Sequence, residues 1–149
     1  MGKDNKIKSK KIILASDHAG FRLKENIKFF LNKQGIKVID LGTNNTTSVD
    51  YPDYAHLLSK KMKKSSNFFG VLVCGSGIGM SIVANRHKNI RAALCNNIRT
   101  AKLSRKHNNA NVITIGSRIT KKNIALKSVS TFLKTNFDAG RHLRRIKKI

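Results

Sequence analysis

The sequence predicts an α/β protein: a three-layer α/β/α sandwich around a five-stranded parallel sheet, Rossmann-like and built as a single domain. Three observations lead there. Short β-branched apolar runs alternate with stretches whose apolar residues recur at helical spacing. The runs are apolar throughout, so strands of this kind need cover on both faces, which helical crossovers between parallel strands provide. And 149 residues, 40% of them hydrophobic, suffice for one full core but not for two ordinary domains.

The first strand is "KIILAS", residues 11–16. Behind it, "FRLKENIKFFLNKQG" places Leu23, Ile27, Phe30 and Leu31 on one helical stripe, which Gly35 can terminate. "IKVIDLG" (36–42) is the second strand. The turn-rich "NNTTSVDYP" leads into a helix from Pro52 to Lys64, with proline in the first turn, where its missing N–H is no loss. "FFGVLVC" (68–74) is the third strand, and a third helix starts within "GIGMSIVANR". "IRAALC" (90–95), a helix around "IRTAKLSRKH" and "NVITIG" (111–116) follow. The last helix of the sandwich carries Ile124, Ser128, Val129, Phe132 and Leu133 on one side. Residues 1–10 are a basic extension expected to be disordered, and residues 11–149 form the domain, closing in the basic segment "RHLRRIKKI".

In open parallel sheets ligands bind beyond the carboxyl ends of the strands, and three polar constellations fall there: "SDHAG", "LGTNNTTSVDYP" and "CGSGIG". In the third, glycines at every second position run from a strand into a helix. Bare N–H groups backed by a helix terminus make an anion cradle, although a tight strand-to-helix turn needs glycine too. The spacing is not the dinucleotide fingerprint G-x-G-x-x-G, and no G-K-[ST] follows, so neither a nicotinamide cofactor nor a Walker-type nucleotide site is expected. Cys74 sits at the last position of the strand. Thiols at helix N-termini titrate at roughly 3.5–7.5 instead of about 8.5, which gives a base or nucleophile; a buried inert core cysteine is the other reading. For Cys95, with no glycine loop after it, core packing is the expectation.

Composition excludes several classes. No apolar run reaches the roughly 20 residues of a membrane span, the N-terminus lacks the apolar region of a secretory signal, and Lys6 departs from a myristoylation site. A cytoplasmic protein is expected. Two cysteines without a C-x-x-C pair form no disulfide scaffold, and the histidines lack ligand spacing, so no metal is expected. The formal charge of +24 invites a nucleic-acid reading. However, lysine, asparagine and isoleucine are all abundant, as A/T-rich codons would produce, and no aromatic-basic interleaving is present. No specific nucleic-acid partner is expected.

Taken together, "ILASDHAGF", "VIDLGT", "DYPDYA", "VLVCGSGIGMSIVANR", "IRAALC", "AKLSRKHNNANVITIGSR" and "AGRHLRRI" resemble the ribose-5-phosphate isomerase B family, which includes allose-6-phosphate isomerase and the galactose-6-phosphate isomerase subunits. The likeness runs from Lys11 to Ile146. It implies interconversion of ribose 5-phosphate and ribulose 5-phosphate without metal or cofactor, in homodimers whose active sites are shared between two chains. By resemblance, Cys74 is the base that moves a proton between C2 and C1 through a cis-enediolate. Gly75, Ser76, Gly77, Ile78 and Gly79 match the loop that holds the oxyanion. His107 matches the group that opens the furanose ring, with Asn108 beside it. Asp17 and His18 match sugar- and phosphate-proximal positions, Tyr51 lies in the matching loop, Arg141 and Arg145 match the phosphate clamp, and Arg118 matches a substrate-binding position. Spacing supports one pair independently, since i and i+4 put Arg141 and Arg145 on one helical face; membership of a merely basic tail is the alternative.

Two departures matter. One branch of the family carries a glutamate base just after the third glycine, where this chain has Met80, so Cys74 is the sole candidate. Ser76 replaces a threonine and keeps the hydroxyl. His56, His87 and His142 are read as surface histidines. A hexose-6-phosphate isomerase of the same family and a basic nucleic-acid or nucleotide-binding module without catalysis remain alternatives; the full set Cys74, His107, Arg141 and Arg145 argues against the second.

Overall fold

The structure is a computed structural model that describes residues 9–149. The expected disorder of residues 1–10 therefore falls largely outside the described residues. Of that extension, Ser9 and Lys10 are described: Asn67 Nδ2 donates to the Ser9 carbonyl at 2.7 Å, and Lys10 Nζ stands 5.3 Å from the centre of the Phe69 ring.

The chain runs β1 (Lys11–Ser16), α1 (Phe21–Lys33), β2 (Val38–Asp40), α2 (Tyr51–Met62), β3 (Phe68–Cys74), α3 (Ile78–Ala84), β4 (Ala92–Leu94), α4 (Ile98–Asn108), β5 (Val112–Gly116), α5 (Lys122–Lys134) and α6 (Gly140–Ile146). The strands form one sheet in the order β2-β1-β3-β5-β4, and every pairing is parallel. The expected α/β/α architecture is present, with narrower edges. The second strand is 38–40 instead of 36–42, and the fourth 92–94 instead of 90–95. Both are edge strands paired on one side only and half-buried, and of their flanks Ile36, Ile90 and Cys95 are buried in the core. The helix expected over 52–64 spans Tyr51–Met62.

The three inner strands are buried on both faces, and their side chains sort by the two-residue period of a strand. Ile12, Leu14, Phe69, Val71, Val73, Ile113 and Ile115 meet Leu23, Ile27 and Leu31 of α1, Ala101 of α4 and Val129 and Phe132 of α5. Ile13, Ala15, Leu72, Cys74 and Val112 face the other way, against Ala55, Leu58 and Met62 of α2 and Met80 and Ala84 of α3. The outward side of that second layer is apolar as well, with Leu57, Ile78 and Ile82 exposed.

One charged cluster belongs to this frame. Lys24 of α1 is fully buried, and its Nζ reaches Asp40 at 2.6 Å and Glu25 at 2.8 Å; Lys28 reaches the same two carboxylates at 2.7 and 2.8 Å. Asp40 Oδ1 in turn accepts the Gly42 N–H at 2.9 Å, tying the cluster to the loop that leaves β2.

From the central pair β1 and β3 the chain departs in opposite directions, to β2 on one side and to β5 and β4 on the other. The crevice at such a reversal is where parallel sheets bind ligands. Register puts Ser16 beside Val73 and Cys74 beside Gly116, so the loops after β1, β3 and β5 open into one place.

Candidate active site

At that crevice lies a pocket of about 320 Å³ lined by Asp17, Tyr51, Cys74, Gly75, Ser76, Gly79, Arg118 and Ile119. Cys74 ends β3, and its Sγ accepts the Gly77 N–H at 3.1 Å. The chain can make that bond because Gly77 takes φ +78°, a left-handed turn that β-carbon sterics penalise. Space forbids a side chain there too: a Cβ on Gly77 would stand 2.6 Å from Leu94 Cδ1 and 2.9 Å from the Gly116 nitrogen. Ser76 Oγ accepts the Ile78 N–H at 3.2 Å, so this hydroxyl caps the start of α3. The Gly75 and Ser117 backbone is stitched together by Ser117 N–H to the Cys74 carbonyl (2.8 Å) and Arg118 N–H to the Gly75 carbonyl (3.0 Å).

The rest of the wall is placed by close approaches. The Tyr51 ring lies over Gly79, where a Cβ would come within 2.6 Å of it, and the Arg118 guanidinium lies over Gly75, where a Cβ would stand 3.2 Å from Nη1. Asp17 is buried; its Oδ1 accepts the Gly20 N–H at 2.9 Å. His18 sits at the entrance to α1 with Nδ1 3.1 Å from the Val49 nitrogen and 3.2 Å from its carbonyl oxygen, a contact that anchors the loop before Tyr51. A thiol beside consecutive backbone N–H groups, with a carboxylate, a phenol and a guanidinium around it, can shift a proton on a polar substrate and hold the negative charge that results.

The other expected site residues are elsewhere. His107 and Asn108 are the last two residues of α4, which runs back along the sheet from the end of β4 to the start of β5. They lie at the amino edge of the strands, whereas Cys74 lies at the carboxyl edge. Val112 to Gly116 alone separates the two edges by about 13 Å at the usual strand rise. α6 joins His107 there: the His107 and His142 rings stack at 4.4 Å with 12° between their planes, and Lys106 pairs with Asp138 at 3.2 Å. Arg141 and Arg145 share this short helix, exposed and one turn apart. Burial, then the charges of His107, Arg141 and Arg145, hold the His142 imidazole below its ordinary range. One chain thus carries the Cys74 pocket and the cluster of His107, His142 and the α6 arginines at opposite edges of its sheet.

Sequence reasoning missed some participants. His142 was read as a surface residue, yet it stacks on His107; its place next to Arg141 was the available signal. Ile119, which lines the Cys74 pocket, carried none. Cys95 fits the core reading: it is fully buried, and burial pushes its thiol up against the opposing effect of hydrogen bonds to Ser104 and Thr100. His56 and His87, also read as surface residues, are half-buried and bond to each other, Nδ1 to Nε2, at 2.8 Å.

Known proteins share both sequence and shape with this chain. Ribose-5-phosphate isomerase B of Escherichia coli is 39% identical over 140 residues, covering 94% of each chain. A ribose 5-phosphate isomerase structure from Thermotoga maritima superposes with a TM-score of 0.90 at 51% identity, over 93% of this chain and 95% of that one. The ribose-5-phosphate isomerase B of Mycoplasma genitalium, solved with bound ribulose-5-phosphate, gives 0.90 at 44% identity over 94% and 93%. The family described as Ribose/Galactose Isomerase matches residues 12–149, a span that holds the Cys74 loop, the His107 helix end and the α6 arginines alike. The chain belongs to the ribose/galactose isomerase family.

Proposed function

We propose that the chain interconverts D-ribose 5-phosphate and D-ribulose 5-phosphate in the cytoplasm, as a homodimer in which each active site takes one half from either chain. The observation that carries the reading is the Cys74 sulfur, at the mouth of the sheet, accepting a glycine N–H inside a pocket shared with Asp17, Tyr51 and Arg118. The relatives named ribose-5-phosphate isomerase B, and the one solved with ribulose-5-phosphate, support the substrate.

The chemistry follows from the groups. His107 transfers a proton between the ring oxygen and the anomeric hydroxyl, opening the furanose to the free aldehyde. Cys74 as thiolate takes the C2 proton, the electron pair moves to the carbonyl oxygen, and a cis-enediolate forms. The N–H groups from Gly75 to Gly79 receive that charge. A proton passes from O2 to O1, and the thiol returns its proton to C1 as the C2 carbonyl forms, leaving the ketose and the thiolate, so no oxidant, metal or cofactor is consumed. Arg118, Arg141 and Arg145 hold the phosphate by charge-assisted bonds. A single small sugar phosphate cannot touch both edges of one sheet, which supports the shared site, and the exposed Leu57, Ile78 and Ile82 give a second chain an apolar surface to cover.

The test is turnover of ribose 5-phosphate, allose 6-phosphate and galactose 6-phosphate by the purified protein, with Cys74→Ala alongside. Ribose 5-phosphate is expected to give the highest kcat/KM, and the variant to lose C2 proton exchange while keeping its fold. Preference for a hexose phosphate would reassign the substrate. Near-normal turnover by Cys74→Ala would overturn the mechanism.

A further inference from the structure

The last turn of α4 is held by side chains from two arginines. Arg91, just before β4, donates from Nε to the Asn108 carbonyl (3.2 Å) and the Asn109 carbonyl (3.1 Å), and from Nη2 to the latter at 2.9 Å. Arg105, buried with its guanidinium 4.7 Å from the Phe69 ring centre, donates from Nη1 to Asn109 Oδ1 at 2.8 Å and to the Ala110 carbonyl. Asn111 closes the frame: its Oδ1 accepts the Arg91 N–H at 2.8 Å, and its Nδ2 donates to the Asn89 carbonyl at 2.7 Å. Neither arginine has a carboxylate within ion-pair distance among the described residues. Their donors are spent on carbonyls at the negative end of a helix, where a cation is stabilising.

The helix also has a cap of its own: Asn109, in the left-handed conformation at φ 44°, donates its N–H to the Arg105 carbonyl at 3.2 Å, and Arg91 takes the carbonyls beyond it. What the Arg91 bonds add is immobility at the residues where helices ordinarily fray. Those residues are His107 and Asn108. We infer that Arg91 is a positioning residue: its guanidinium fixes the Asn108 and Asn109 carbonyls and thereby the imidazole of His107 for ring opening. This rests on the proposed role of His107. A group displaced by about 1 Å can cost about a hundredfold in rate without touching substrate binding.

The experiment compares wild type with Arg91→Met, which keeps the length of the stem and removes the donors, and with Arg91→Lys, which restores one. Three quantities are read: kcat and KM on ribose 5-phosphate, C1 proton exchange on ribulose 5-phosphate, which has no furanose to open, and the melting temperature. Arg91→Met is expected to lower kcat by about ten- to a hundredfold, with KM within about twofold and exchange within about threefold of wild type. Arg91→Lys is expected to recover part of the loss. A kcat within about twofold of wild type for Arg91→Met would overturn the inference, as would exchange falling as far as kcat, since the damage would then reach the Cys74 half-site. Should Arg91→Met fail to fold, Arg91→Lys decides: an unchanged ratio of isomerisation to exchange overturns the inference, and a lowered ratio supports it. Wild type inactive on ribose 5-phosphate would instead refute the isomerase reading itself.

Discussion

Cys74 and Cys95 both end buried apolar strands or their flanks, and only their surroundings separate a working thiol from packing. Cys74 lines a pocket and its sulfur accepts a backbone N–H, whereas Cys95 is fully buried and burial pushes its thiol up. Iodoacetamide is therefore expected to label Cys74 first, with loss of activity and protection by a phosphorylated ligand; mass spectrometry of the labelled peptides checks it. Gly77 supplies that N–H only in a left-handed turn. Gly77→Ala is expected to lose about 1–2 kcal/mol of stability to strain and more in activity, because the Gly116 nitrogen blocks the space and the turn must move. Denaturant melts beside kcat separate the two effects. The turn was legible in the sequence because alternate glycines at a strand's end mark a backbone that needs left-handed or closely approached positions, and the family resemblance pointed to the cysteine beside it. The stacking of His142 on His107 was not, since it depends on how α6 returns over α4 through the segment after α5.

The elements differ in what holds them. The inner strands were readable from their apolar runs, because burial on both faces leaves few positions for a polar residue; Ser16 and Thr114 are the buried hydroxyls they carry. The edge strands β2 and β4 were readable in place but not in length, since edge pairing gives half the ladder and little of the burial. The α1–β2 contact rests on charge: Asp40 faces the fully buried Lys24 as well as Lys28. Burial pushes the Asp40 carboxyl up, and the hydrogen bonds from Lys24 and Lys28 outweigh it, so its net position is below the usual carboxylate range. A carboxyl lowered on folding stabilises the protein fully above the ordinary carboxylate range, and the contribution is lost as pH falls through the folded value. Asp40→Asn leaves the buried Lys24 ammonium with Glu25 as its carboxylate partner and is expected to cost about 1–3 kcal/mol near neutral pH. The gap between wild type and variant should narrow as pH falls below about 4. Melts at neutral and acidic pH test this, and a gap that widens on acidification would contradict it.

At the scale of the whole molecule, the Cys74 pocket stands at one edge of the sheet and the cluster of His107 and α6 at the other. The sequence carries every group in one chain, in the order expected of its family, and nothing in that order says that they cannot meet. Topology says so: α4 runs antiparallel to the strands, so the residues at its end, His107 and Asn108, are returned to the amino edge while Cys74 stays at the carboxyl edge. The proposed site needs two chains, which mixed dimers can demonstrate. A Cys74→Ala chain and an Arg141→Ala chain, each inactive or severely impaired alone, are co-refolded or co-expressed with different tags and the mixed species purified. In a two-fold dimer with exchanged half-sites, one of the two sites then holds both intact groups, so the mixed species should recover about half the wild-type kcat per dimer at a wild-type KM. Mixed dimers of verified composition that stay as inactive as the parents would put Cys74 and Arg141 to work within a single chain and contradict the account.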